Sequence, residues 1–249
     1  MLDIEHLSKS FGGTVAVDDV TIAVDGGESV GIVGPNGAGK TTLFDCVAGT
    51  LRPDGGTVRF AGRDLGTMAS WRRARLGIGR THQRAEVFGE MTVRDHLLTA
   101  ERARQRRPQL WRDLLGLSAP RRPELEKTDA LLDLVGLGSV ADVPVAALGL
   151  GSCRLVELAR AIACEPRLLL ADEPSSGLDE QESAELAMVL RALQRERSMA
   201  VLLVEHDLAM VEAVVDRVVV MDLGRVIATG SFAQVMADPR VRRAYLGAS

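Results

Sequence analysis

Aromatic residues make up only 3% of this 249-residue chain, and lysine occurs at just three positions, Lys9, Lys40 and Lys127. Its three cysteines, Cys46, Cys153 and Cys164, lie far apart with no CxxC pair. That spacing argues against a disulfide framework or a cysteine-built metal site, and fits small apolar packing roles in a reducing compartment. No apolar run approaches the ~18 residues of a membrane span, and the opening Met1-Leu2-Asp3-Ile4-Glu5-His6 lacks a signal-peptide layout. Net charge is −4, so no global basic field points to nucleic acid. The arginine-rich stretch from Glu101 to Arg112 contains one tryptophan, Trp111. One ring is no stacking platform for bases, so a solvated helical insertion is expected there. With 46% hydrophobic residues, the chain can bury a large core. It is expected to be soluble and cytoplasmic unless a partner holds it at a membrane.

Against that scarcity of lysine, Lys40 stands out. Residues Gly34-Pro35-Asn36-Gly37-Ala38-Gly39-Lys40-Thr41 spell an uninterrupted GxxxxGK[ST] loop. An apolar segment, Ser29–Val33, precedes it, and a helix-like run beginning at Thr42 follows. This is the strand–loop–helix setting that the motif requires. Glycines let successive N–H groups curl inward toward phosphate oxygens, and the helix N-terminus adds partial positive charge. Lys40 is suited to the β- and γ-phosphates and the Thr41 hydroxyl to Mg²⁺. An ordinary glycine-rich turn would not need these flanks. The loop implies a nucleoside triphosphate.

Short strands and turns fill the first 65 residues, and Trp71–Arg75 reads as an exposed helix before the strand Gly77–Arg80. From about Val87 to Pro166 the pattern is helical. Strands return at Leu168–Ala171, Ala200–Glu205, Arg217–Met221 and Val226–Ala228, separated by helical patterns at Glu180–Arg197 and Leu208–Val215. The alternation predicts an α/β fold with a mainly parallel sheet and an inserted helical region. At the end of the strand Leu168–Ala171 stand two acids. Asp172 can hold Mg²⁺, and Glu173 is placed to polarise an attacking water. Such a pair is commonly just a turn or a helix cap, but with the phosphate loop it reads as catalytic.

Four further features follow in order: Gln83 after a strand; Leu148-Gly149-Leu150-Gly151-Ser152 before a helix; Ser175-Ser176-Gly177-Leu178-Asp179; and His206 after Val201–Glu205. Together with the loop and the acids they resemble an ATP-binding-cassette (ABC) ATPase over essentially the whole chain. The resemblance implies a P-loop cassette with N-terminal antiparallel strands, an α/β core from 1–86 and 167–249, and a helical subdomain from 87–166. It implies that Phe11 stacks on adenine, that Gln83 reaches Mg²⁺ and the γ-phosphate, and that His206 contacts the γ-phosphate. Asp179 would cross between subunits, and Gly149 and Gly151 would face nucleotide held by a second cassette. The stretches Arg80-Thr81-His82-Gln83 and Glu90–Leu97 and the ending Val241–Gly247 are similar to branched-chain amino-acid importer ATPases. That similarity implies an ATPase bound to integral membrane permease subunits on the cytoplasmic face, served indirectly by a solute-binding protein.

The chain departs from the pattern of the family it resembles at the signature. The family reads LSGGQ; here Gly149 replaces serine, Leu150 replaces glycine and Ser152 replaces glutamine. A lost hydrogen bond to phosphate is worth about 1.5–3 kcal/mol. The expectation is therefore a heterodimer with a second ABC ATPase rather than a homodimer. Two alternatives stay open at this point: a soluble ABC ATPase of translation or DNA maintenance, and an ATPase serving another solute.

Overall fold

The computed structural model describes residues 1–81, 88–104 and 120–246. Gln83, its neighbour His82, most of the arginine-rich stretch with Trp111, and Gly247 lie outside the described residues.

Two sheets carry the fold. The first is antiparallel, in the order β2 (Thr14–Val24), β1 (Leu2–Phe11), β4 (Gly55–Phe60), β5 (Arg63–Asp64). The second runs β10 (Arg225–Gly230), β9 (Arg217–Asp222), β3 (Ser29–Val33), β8 (Ala200–Val204), β7 (Leu168–Asp172), β6 (Ile78–Arg80), and only β10 is antiparallel in it. Strands β3, β7 and β8 are buried at every residue. Their continuous apolar runs are what a sheet covered on both faces demands.

Strand alternation divides that burial. Leu168, Leu170 and Leu202 face one core with Phe44 and Val47 of α1 (Lys40–Ala48) and with the inner face of the antiparallel sheet. Leu169, Ala171 and Leu203 face the other core, against α5 (Leu150–Ala163) and α6 (Glu180–Arg197). Each fully buried leucine or phenylalanine is worth about 1.5–3 kcal/mol, so both layers are held firmly to one sheet. α3 (Val93–Arg104) and α4 (Arg122–Leu134) pack beside α5 in the second core. A third cluster seats α7 (Leu208–Val214), α8 (Phe232–Ala237) and α9 (Pro239–Leu246) near the end of β3, through Val33, Val211, Val235 and Val241.

Two local readings change. Helix α1 begins at Lys40 rather than Thr42, because Gly39 adopts the left-handed conformation (φ 93°) and its carbonyl accepts from Leu43 N–H. Helix α2 (Ser70–Arg75) is not simply exposed. Trp71 is half in solvent, but Arg73 is only 3% exposed. Its guanidinium donates to the carbonyls of Cys46 and Val47 at 2.8 Å, and to Met68, Leu65 and Gly66. The last carbonyls of α1 have no partner within the helix, and a cation there also opposes the helix dipole.

Candidate functional site

Parallel register sets the level of the site. Val204 pairs with Ile32 on one side and with Asp172 on the other, so the C-terminal ends of β3, β7 and β8 open on one edge. The phosphate loop leaves β3 there. Its conformation is enforced at Gly34 (φ 153°) and Gly39 (φ 93°), where an added Cβ would sit 2.1 Å from the carbonyl oxygens of Met221 and Ala16 respectively. Pro35 is half-buried, Asn36 and Gly37 are exposed, and Ala38 is buried under the loop. Lys40 lies inside the loop it terminates, 5% exposed, its Nζ donating to Gly34 O at 2.8 Å and Pro35 O at 3.0 Å. Burial pulls its pKa below the ordinary lysine value, and the Glu173 charge opposes that pull. Thr41 is exposed and Thr42 half-buried on the first turn of α1.

Glu173 follows β7 at a positive φ of 45°, its N–H still bonded to Val204 O at 2.8 Å. Its Oε1 meets His206 Nε2 at 2.9 Å. Two residues chosen from sequence, 33 positions apart, are thus in direct contact. Asp172 is 4% exposed and paired with Arg80 at 3.2 Å, and Arg80 also reaches Asp45 of α1 at 3.1 Å. Burial pushes the Asp172 carboxyl above its usual range, against the neighbouring guanidinium. The Arg80 cation rests over the Phe44 ring. Arg80 is half-buried in a three-residue strand, and nothing in its sequence setting singles it out beyond the resemblance of its stretch.

The Thr41 hydroxyl and Asp172 carboxylate are hard oxygen donors, the set that fits Mg²⁺. Among the described residues no cluster of three or more metal-ligating side chains occurs. Gln83, the third residue expected at the metal, lies outside the described residues.

The remaining expected residues lie on other elements. Phe11 ends β1, half exposed, with Lys9 Nζ 5.5 Å from its ring centre. Gly149 caps α5 and is exposed, with nothing within 4 Å of where a Cβ would stand. Leu150 is 44% exposed and its Cδ2 lies 3.1 Å from the Cβ position of Gly177. Gly151 is restricted by Glu182, whose Oε1 would be 2.7 Å from a Cβ. Asp179 caps α6, accepting from Glu182 N–H at 2.8 Å. Arg154 binds Ser176 O at 3.1 Å, tying α5 to the 175–179 segment of its own chain.

A phosphate loop, an acid–histidine contact and a parallel sheet edge define a P-loop nucleoside triphosphatase. The ABC transporter profile matches residues 17–176, and a profile for branched-chain amino acid ATP-binding cassette transporters matches residues 225–249. LivG of Salmonella typhimurium, a high-affinity branched-chain amino acid transport ATP-binding protein, is 36% identical over 99% of this chain and 98% of its own. LptB of Haemophilus influenzae, a lipopolysaccharide export system ATP-binding protein, is also 36% identical, over 99% and 97%. The crystal structure of the ADP conformation of MJ1267, an ATP-binding cassette of an ABC transporter, superposes with a TM-score of 0.87 at 30% identity, covering 99% and 98% of the two chains. The chain belongs to the ABC transporter family of ATP-binding cassettes.

Proposed function

We propose that this cassette is the ATP-hydrolysing subunit of an importer for branched-chain or related amino acids. The observation that carries hydrolysis is the 2.9 Å contact of Glu173 with His206 at the edge where Lys40 closes the phosphate loop. Glu173 polarises the attacking water and His206 holds both Glu173 and the γ-phosphate. Lys40 exchanges its loop carbonyls for the β- and γ-phosphates, and the glycine-rich N–H groups cradle the rest. Mg²⁺ held by Thr41, Asp172 and Gln83 supplies charge neutralisation. Phe11 carries the adenine. Phosphoryl transfer depends on such positioning and charge stabilisation more than on covalent chemistry.

The amino-acid assignment is supported by the C-terminal profile match at 225–249 and by full-length similarity to LivG. Equal identity to LptB means that overall similarity does not choose the solute. Among the described residues no helix is long and apolar enough to cross a membrane. The subunit works as a peripheral protein on the cytoplasmic face, bound to permease subunits, with solute delivered by a separate binding protein. Residues 1–86 and 167–249 act as the nucleotide-binding core and 87–166 as the helical subdomain that presents Gly149 and Gly151 to a second cassette. That second cassette is a different chain with an intact signature.

Glu173→Gln tests the reading. It should keep ATP affinity within a fewfold, lower hydrolysis by about 10²–10⁴, and retain a membrane permease on affinity purification in ATP. Undiminished turnover in the variant overturns the assignment of Glu173, and capture of ribosomes or DNA instead of a permease overturns transport.

A further inference from the structure

Glu205 immediately follows β8 and is only 3% exposed, and its two carboxylate oxygens serve two different segments. Oε1 accepts from Ser175 N–H at 2.8 Å and from the Ser175 hydroxyl at 2.7 Å. Oε2 accepts from His206 N–H at 2.9 Å and from Asp207 N–H at 3.3 Å. Ser175 lies two residues beyond Glu173, and His206 immediately follows Glu205. A rigid, planar group therefore spans the two segments that carry the contacting pair Glu173 and His206. Asp207 adds a second tie, accepting from the Ser183 hydroxyl of α6 at 2.7 Å.

We propose that Glu205 is a positioning residue: its carboxylate fixes the register between the Glu173 and His206 segments, and so the catalytic contact between those side chains. The inference rests on the proposed roles of Glu173 and His206 and deepens them. Only an ionised carboxylate accepts on both sides at once. A glutamine at this place offers one accepting oxygen and one NH₂, which cannot accept a backbone N–H. Glu205→Gln therefore releases one segment while conserving shape. Glu205 touches neither the phosphate loop nor Lys40 in any of these bonds, so the nucleotide itself should bind as before. A misplaced catalytic group costs turnover rather than affinity.

The test uses the full chain and reads two signals. The sequence holds four histidines, so the His206 ring resonances can be resolved by NMR in nucleotide-free protein. Glu205→Gln should move them and leave those of exposed His6 in place. In a Glu173→Gln background, where the ring has lost its carboxylate partner, the same change should move them much less. In the presence of ATP and Mg²⁺, Glu205→Gln should lower kcat by about tenfold with KM and ATP affinity within twofold. Ser175→Ala, which removes only the hydroxyl bond, is the milder second variant and should shift the same ring signals and kcat in the same direction. Unmoved His206 signals, equal shifts in both backgrounds, or ATP affinity falling in step with kcat would each overturn the role of Glu205. Failure of the underlying reading is distinguishable, because it shows as full activity in Glu173→Gln itself.

Discussion

Single residues of this chain divide by whether chemistry or burial defines them. Lys40, Glu173 and His206 could be proposed from sequence because phosphate chemistry asks for those residue types at strand ends, and the structure brings Glu173 and His206 into contact. Arg73 could not. In sequence it is one of three arginines in a short helix, and only the packed structure shows its guanidinium among five carbonyls. Arg73→Met should destabilise the chain by about 2–4 kcal/mol, because it strands the buried carbonyls that end α1; urea unfolding measures this directly. Glu205 was hidden for the same reason. A carboxylate in front of a histidine has no meaning until Ser175 is brought beside it. Gly149 offers a gain instead of a loss. Its Cβ position is open and its φ of −69° suits any residue. Gly149→Ser restores a hydroxyl worth about 1.5–3 kcal/mol to a phosphate, so homodimer turnover should rise by roughly tenfold or more. No change in steady-state hydrolysis would mean that the hydroxyl is not what limits the composite site.

At the level of elements, the sheet edge opposite the site is fastened by charge. Glu28 accepts from Arg217 at the start of β9, and Asp216 accepts from Ser29 N–H at the start of β3 while pairing with Arg191 of α6. For both carboxyls burial alone would raise the pKa, but the arginine hydrogen bonds and backbone N–H groups outweigh it and hold both below the ordinary range. A carboxylate with a folded pKa below its unfolded one adds stability that is complete above the unfolded value of about 4. That stability is lost as pH falls through the folded value. The urea midpoint should therefore hold from pH 7 to about 5 and fall steeply below about 4. Arg217→Met should start lower and fall less over the same acid interval. The elements themselves were largely legible, since β3, β7 and β8 declare themselves as short apolar runs. Helix α1 was misjudged at its start, because a left-handed Gly39 admits Lys40 to the helix in a way that periodicity does not register.

Considered whole, the molecule carries an uninterrupted phosphate-loop sequence beside a signature that departs from the family pattern. Sequence made that imbalance visible, and the structure adds that Leu150 leans on Gly177 while Gly149 stands open to solvent. The expected outcome is slow turnover by the purified chain and faster turnover once a cognate second cassette is mixed in, measured as phosphate release per site. Equal, brisk turnover by the chain alone would remove the case for asymmetry.

The strand that launches the phosphate loop has a history as well as a position. β3 is wholly buried between β8 and β9, and the bond from Ser29 to Asp216 joins residues 187 apart in the chain. On a ribosome emitting about 5–20 residues per second, β3 must wait roughly ten seconds or more for either neighbour. During that wait an apolar strand end and the glycine loop beyond it have no sheet to join. The nascent protein therefore cannot grip nucleotide early and use it as a scaffold. Nucleotide competence arrives late and all together, when the last third of the chain closes the sheet around its oldest strand.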